Sequence, residues 1–419
     1  MRSVVALLSS VFASSTAMAL LSTVLGKLVF DITGSELALG LLGLAEFAPA
    51  ALLVFVTGPL ADRMDRRRLA ALALGLEAVV LAGLTVYVST DPTSTLPIFL
   101  LVIGYGTARA FATPATRSLP ADTVAGSRLP WLTARQAATW QGALVLGPVL
   151  GGFLYVVAPW VPFATAVALV AVGAVTVLTV RVRPYTRPPV ETDDDGVERS
   201  GMHQAMEGLR FVRSRPILLG AISLDLFAVL FGGAVALLPA IAEDRLGVGA
   251  VGLGWLRAAT GIGAGLVALF LTVKPVSRRI GRTLLLCVAL FGLGTIALGV
   301  TTSFAIAFVA LLVLSGADAV SVFIRSTLVP LVTPADKRGR VLAVEAVFIG
   351  ASNELGAFES GVVGQLLGPA TAIVLGGIAT LAVAAIWWGA FPDLREVDGF
   401  PSAGDNVIGP TPSPPPAPG

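Results

Sequence analysis

Apolar runs of about twenty residues, broken by short polar stretches, recur along the whole chain, and that length is what a helix needs to cross ~30 Å of hydrocarbon. The pattern predicts spans over Val4–Leu25, Leu37–Leu60, Leu69–Val88, Leu96–Thr113, Leu132–Val157 and Val161–Val180. A polar stretch, Arg181–Pro216, follows with Pro184, Pro188, Pro189, the run Asp193-Asp194-Asp195 and His203. It reads as a flexible linker ending in a short amphipathic helix, Met202–Val212, on the membrane face. Six further spans are predicted over Ile217–Ile241, Val251–Val273, Thr283–Val300, Ala305–Leu328, Val341–Leu366 and Thr371–Ala390. The chain thus divides into a six-helix bundle (1–180), a cytoplasmic linker (181–216), a second six-helix bundle (217–391) and a Pro-rich tail (392–419) whose composition reads as disordered.

Charge placement orients these spans. Gly58–Leu69 reads G-P-L-A-D-R-M-D-R-R-R-L, too charged for hydrocarbon and therefore an aqueous turn between two spans. Its arginines assign the turn to the cytoplasm. Nearly every loop Lys and Arg then falls on the same side, and only Lys27 and Arg245 fall outside. Both termini are expected in the cytoplasm. Arg2, an apolar run and Ala17-Met18-Ala19 imitate a secretory signal. Removing that segment would leave an odd helix count and reverse the arginine-rich turn, so the first helix is read as uncleaved.

Composition excludes several function classes. Hydrophobic residues make up 55% and charged residues 13%, against about 25% charged in soluble domains, and the mean hydropathy is +0.87. A net charge of +2 gives no argument for nucleic acid. One cysteine and one histidine leave no material for a disulfide framework, a zinc cluster or a histidine-based triad. No G-x-x-x-x-G-K-[ST] occurs, so ATP hydrolysis is not the expected energy source. A membrane enzyme or sensor would need a polar catalytic cluster or an extra domain, and the sequence offers neither.

The Gly58–Leu69 turn resembles the signature G-x-L-a-D-r-x-G-r-[RK] of the major facilitator superfamily. Gly58, Leu60, Asp62, Arg63, Arg66 and Arg67 match it, and Asp65 replaces the second glycine. The halves echo each other: Arg117-Ser118-Leu119-Pro120 is matched by Arg325-Ser326-Thr327-Leu328-Val329-Pro330, and Val273–Thr283 is a worn copy of the arginine-rich turn. The resemblance implies an all-α membrane transporter of twelve helices in two pseudo-symmetric bundles, with a substrate site between them. It also implies that Asp62 and the turn's arginines form a latch favouring the outward-facing state. Gly147-Pro148-Val149-Leu150-Gly151-Gly152 resembles an element that antiporters of this superfamily carry on helix 5; its glycines allow close helix contact and its proline bends the helix. Leu238–Ala242, Gly252–Ala259, Pro334–Val341 and Asn353–Gly361 resemble the enterobactin-exporter-like branch, also called transmembrane secretion effectors. The implied activity is proton-driven export of a small amphipathic molecule, siderophore or drug-like, from the cell membrane. An uptake symporter of the same fold is the alternative.

Intramembrane charges are the candidate machinery, because each is unfavourable by at least ~2.5–3 kcal/mol at the bilayer centre. Asp225 lies nine residues beyond Pro216 and Glu46 ten beyond Glu36, so each is roughly 14–15 Å deep. Asp318 and Arg109 fall in the inner halves of their spans, Glu354 in the outer half of its own. Arg257, Glu359, Glu77, Glu345, Arg135 and Arg325 are read as nearer a membrane face, able to snorkel or cap. The resemblance implies one cavity lined by Arg109, Asp225 and Asp318. Asp225, with Glu46 as second choice, is the expected proton carrier, and Arg109 its charge partner or a substrate anchor. Protons, lipid and a small molecule are the expected partners; a monomer suffices mechanically.

Overall fold

The computed structural model describes residues 2–182, 201–334 and 336–401, with side chains for all of these except 54–56, 58–59, 61–63 and 201–205. The Pro-rich tail beyond Pro401 and most of the polar linker lie outside the described residues. Among the described residues, twelve helical stretches are long and apolar enough to cross a membrane. The first six are α1 (Arg2–Thr33), α2 (Glu36–Arg63), α3 (Arg66–Val88), α4 (Leu96–Thr123), α5 (Leu129–Val157) and α6 (Val161–Leu178). Next come an amphipathic helix, α7 (Gly201–Arg213), and α8 (Pro216–Phe231). After the one-turn α9 (Leu238–Ala240), the chain continues through α10 (Gly249–Val273), α11 (Ile280–Val300), α12 (Phe304–Leu331), α13 (Arg338–Leu367), α14 (Pro369–Ala390) and the short α15 (Pro392–Glu396).

Packing sorts the membrane helices into two bundles. In the first, α1 lies against α5 and α6, α3 against α4 and α6, and α2 against α4. In the second, α11 lies against α12 and α14, α10 against α12, and α8 against α13 and α14. Contact between bundles runs through α5–α10 and α2–α13. Small residues make this approach possible. A Cβ added at Gly152 would lie 2.5 Å from the Ala250 carbonyl oxygen, and one at Gly254 2.5 Å from that of Pro148. Gly147 and Gly151 face the other way, with added Cβ atoms 2.7 Å from Thr16 O and 3.1 Å from Val24 Cγ1 of α1. The antiporter-like element therefore serves two surfaces at once, within the first bundle and across to the second. On the opposite flank, Gly40 and Gly361 bring α2 and α13 together, while Ser35 donates to Gln365 at 2.6 Å. These seals all lie away from the arginine-rich turns. A cavity occupies the arginine-rich half.

Several predicted boundaries move. Leu28, Val29 and Phe30 are buried and prolong α1 to Thr33, so Lys27 is not in a loop but inside the helix, 7% exposed. The seventh span is not one continuous helix. It breaks at Gly232-Gly233 and resumes as a 3-10 turn (Ala234–Leu237), α9 and a π turn (Ile241–Arg245) closed by Leu246 N–H on Ile241 O. Helix α7 is attached to the second bundle at its C-terminal half. Val212 packs among Leu218, Ile222, Val329 and Val341, and Glu207 pairs with Arg340 at 2.7 Å, which docks α7 on the second bundle.

Gly254→Leu places a side chain on the Pro148 carbonyl. The expected result is a lower unfolding midpoint in detergent, by ~1–3 kcal/mol of overpacking. Gly75→Ala, where an added Cβ meets nothing within 4 Å, should leave the midpoint unchanged; equal effects of the two would refute the packing account.

Candidate transport site

In the first bundle a cavity of about 470 Å³ runs from near the arginine-rich end up to Arg109 of α4. Its walls include Ser10, Ser14 and Met18 of α1, Glu77 of α3, Tyr105 and Arg117 of α4 and Gln136 and Trp140 of α5. The Arg109 guanidinium pairs with Glu46 of α2, donates to Met18 Sδ at 3.0 Å and lies 5.6 Å from the Tyr105 ring centre. A smaller cavity of about 140 Å³ continues beyond it, lined by Glu46, Phe47, Arg109, Thr113 and, from the second bundle, Glu354 of α13. Glu354 reaches across because Gly43 of α2 leaves room; a Cβ there would sit 2.8 Å from Glu354 Oε2. Arg109, paired with Glu46, thus shares a cavity with a carboxylate contributed by the other bundle.

A second charged centre lies inside the second bundle. Asp225 of α8 and Arg325 of α12 pair at 2.6 Å with both side chains almost wholly buried, and Arg325 Nε also donates to Ser321. Asp318, two turns before Arg325 on α12, shares a pocket of about 10 Å³ with Asp225, Cys287 and Ser321. Two carboxylates therefore sit near one guanidinium.

These placements correct three expectations. Arg109 is not the partner of Asp225; it belongs to Glu46, and Arg325 holds Asp225. Arg325 and Glu77 do not snorkel to a face but are buried, 3% and 5% exposed. The single cavity expected for Arg109, Asp225 and Asp318 is two, one in each bundle. Depth matching carries a signal for the missed arginine: Arg325 lies six residues before the end of α12, near the depth at which Asp225 needs a cation.

At the arginine-rich turn, Arg66 pairs with Asp122 of α4 at 2.9 Å. Arg67 pairs with Asp65 at 2.8 Å and donates to Val180 O at 3.0 Å. Gly58, Asp62 and Arg63 fall at the end of α2, but their side chains lie outside the described residues. Asp65, where the signature has glycine, needs no glycine conformation: its φ is −61° and it caps α3 by accepting from Arg67 N–H. The hydrogen bonds from Arg67 hold its carboxyl below the ordinary value of 3.8. At the opposite end, Lys27 of α1 pairs with Asp31 and, across the bundle boundary, with Glu243 at 3.1 Å, while Tyr155 donates to Asp31 at 2.8 Å.

The profile of the Major Facilitator Superfamily matches residues 7–284, more than half of the chain, and the chain belongs to that superfamily. It is similar to the enterobactin exporter EntS of Shigella boydii serotype 4 (strain Sb227), 25% identical over 385 residues, covering 90% of this chain and 85% of that protein. The enterobactin exporter EntS of Escherichia coli O1:K1 is 25% identical over 353 residues, 82% of this chain and 80% of its own length. Among solved structures, a peptide transporter POT superposes with a TM-score of 0.73 at 13% identity, over 94% of this chain and 95% of that one. A bacterial homologue of the human lysosomal transporter Spinster, inward-facing and occupied, gives 0.70 at 15% identity, over 92% and 95%. A D-xylose–proton symporter gives 0.66 at 16%, over 94% and 98%. The protein is a multi-pass transporter of the inner membrane, not an enzyme.

Removing one member of a buried pair is strongly destabilising, by about 3–5 kcal/mol, because the other charge is left unmatched. Arg325→Met is expected to show this loss in the unfolding midpoint, and Asp225→Asn/Arg325→Met to recover most of it; additive losses would exclude the pair. Asp65→Ala should cost about 1 kcal/mol as a lost helix cap. Because the folded carboxyl titrates below 3.8, this contribution is complete above that value. It disappears as pH falls through the lower folded value, so wild type and variant converge in acid melts.

Proposed function

We propose that this protein is a proton-coupled exporter of small amphipathic molecules, working by alternating access between its two bundles. The carrying observation is the arrangement of charge: Arg109, paired with Glu46, in a cavity that Glu354 of the other bundle also lines, and a second guanidinium near both Asp225 and Asp318. Carboxylates outnumbering cations in buried places are groups that can load and release a proton. Arg109 is the substrate anchor in this reading, and the 470 Å³ cavity is the vestibule. With the termini and arginine-rich turns in the cytoplasm, the conformation described is open inward and sealed outside by α5–α10, α2–α13 and the Lys27–Glu243 pair. The Gly58–Leu69 turn is the latch of the opposite state, and Arg66, which pairs with Asp122 of α4, is one of its members. A single chain holds both bundles and suffices for transport. The exporter direction draws on the EntS relatives and the α5 element. The symporters among the fold neighbours keep uptake as the second reading.

Proteoliposomes under an imposed pH gradient test this. Cationic dyes and a catecholate siderophore should each be screened for substrate-dependent dissipation of the gradient. Export-direction exchange is expected, lost in Asp318→Asn, which spares the Asp225–Arg325 pair, and in Glu46→Gln. Asp225→Asn should behave likewise, with Asp225→Asn/Arg325→Met as its folding control. Transport that runs only with the proton gradient in the symport direction would establish uptake, and full coupling in all carboxylate variants would remove protons from the mechanism.

A further inference from the structure

Arg257 of α10 forms no ion pair of its own among the described residues; the acid acting on it, Glu46, is already held by Arg109. Arg257 lies eight residues into the helix from Gly249, within a span, and its Nη1 donates to Ser22 Oγ of α1 at 2.8 Å across the bundle boundary. Its Nε is shut away from solvent and meets no acceptor, and no carboxylate pairs with it among the described residues. Lys27, Arg109 and Arg325 each have an acid; Arg257 has a hydroxyl. An unmatched cation inside a membrane protein marks a ligand or ion pathway by default.

The surroundings are shaped to hold it. Gly26, one turn beyond Ser22, makes room: a Cβ there would stand 3.8 Å from Arg257 Nη2 and 3.1 Å from Pro239. Ser22 is exposed although residues 23–30 of α1 are all buried, and its hydroxyl is the one that Arg257 of the second bundle reaches. Met18, one turn before Ser22, receives Arg109 Nη2 at 3.0 Å and lines the large cavity. Two guanidiniums, one from each bundle, thus meet successive turns of one face of α1. The first is matched by Glu46 and the second is unmatched.

We propose that Arg257, oriented by Ser22, is an anion subsite that takes the acidic headgroup of an amphipathic organic substrate, its apolar body extending along the cavity wall from Met18. A planar guanidinium with free donors suits a carboxylate or sulfonate, which it can bind through two parallel hydrogen bonds. The proposal rests on the transport reading and adds the charge of the cargo to it. A lipid phosphate shares this chemistry, and the test separates the two sources.

The full chain in neutral detergent, with no gradient applied, is titrated calorimetrically with decanoate and naphthalene-2-sulfonate, each against its neutral amide. At least one anion is expected to bind about ten-fold or more tightly than its amide, in keeping with hydrogen bonds to a charged group. That preference should vanish in Arg257→Gln and persist in part in Arg257→Lys. The unfolding midpoint of Arg257→Gln should hold or rise, because an unmatched charge has gone. Equal binding of acid and amide, no binding of either acid, or an unchanged preference in Arg257→Gln overturns the subsite. So does a phosphatidylglycerol headgroup that occupies Arg257 and is not displaced by either anion. No proton gradient enters the experiment, so its failure leaves proton coupling standing, and failed coupling leaves the subsite standing.

Discussion

A charge inside a bilayer must be matched by another charge, led to water or held for a ligand, and that constraint governs most of what is distinctive in this protein. Lys27 is matched by Asp31 and Glu243, Arg109 by Glu46, and Arg325 by Asp225. The pairs between helices, Lys27–Glu243, Arg109–Glu46 and Arg325–Asp225, add to the apolar packing that fixes these helices relative to one another. Because Glu243 comes from the second bundle and Lys27 from the first, the same physics that stabilises each bundle also registers one bundle against the other.

Small residues supply the complementary condition. Lipid tails are as apolar as leucine, so helices associate in membranes by close packing, and glycine is what lets backbones approach. Gly152 and Gly254 do this for α5 and α10, and Gly40 and Gly361 for α2 and α13. All of these contacts lie in the half away from the arginine-rich turns. The cavity opens in the other half, where the walls carry Ser14, Gln136 and Trp140 instead. The division between sealed and open ends is therefore written in residue size along four helices.

The fold was largely legible from the chain because hydrophobic run length and arginine position are one-dimensional signals. The glycines and Pro148 of α5 were legible as contact residues for the same reason, though not their division between α1 and α10. Pairing was not legible. Asp225 and Glu46 stood out by depth, but which arginine met which acid depends on helix rotation and neighbours, and Arg325 was taken for a face residue. Lys27 was misplaced because the charge itself ended the apolar run, although Leu28–Phe30 carry α1 onward. The break at Gly232-Gly233 was likewise hidden under continuous hydropathy, since a helix and a broken helix can be equally apolar.

That break divides the seventh span into two parts with different attachments. The part before it carries Asp225 and is tied to α12 through Arg325; the part after it carries Pro239 against Gly26 and Glu243 against Lys27. The junction itself is pinned, since a Cβ on Gly233 would fall 2.4 Å from the Gly356 carbonyl oxygen of α13. A continuous helix would carry any tilt of Asp225 rigidly to the seal, in proportion to its length. Here the backbone is jointed over a fixed fulcrum, so rotation on one side need not equal rotation on the other. The span is geared: the charge centre and the Lys27–Glu243 seal share a chain without sharing a stroke.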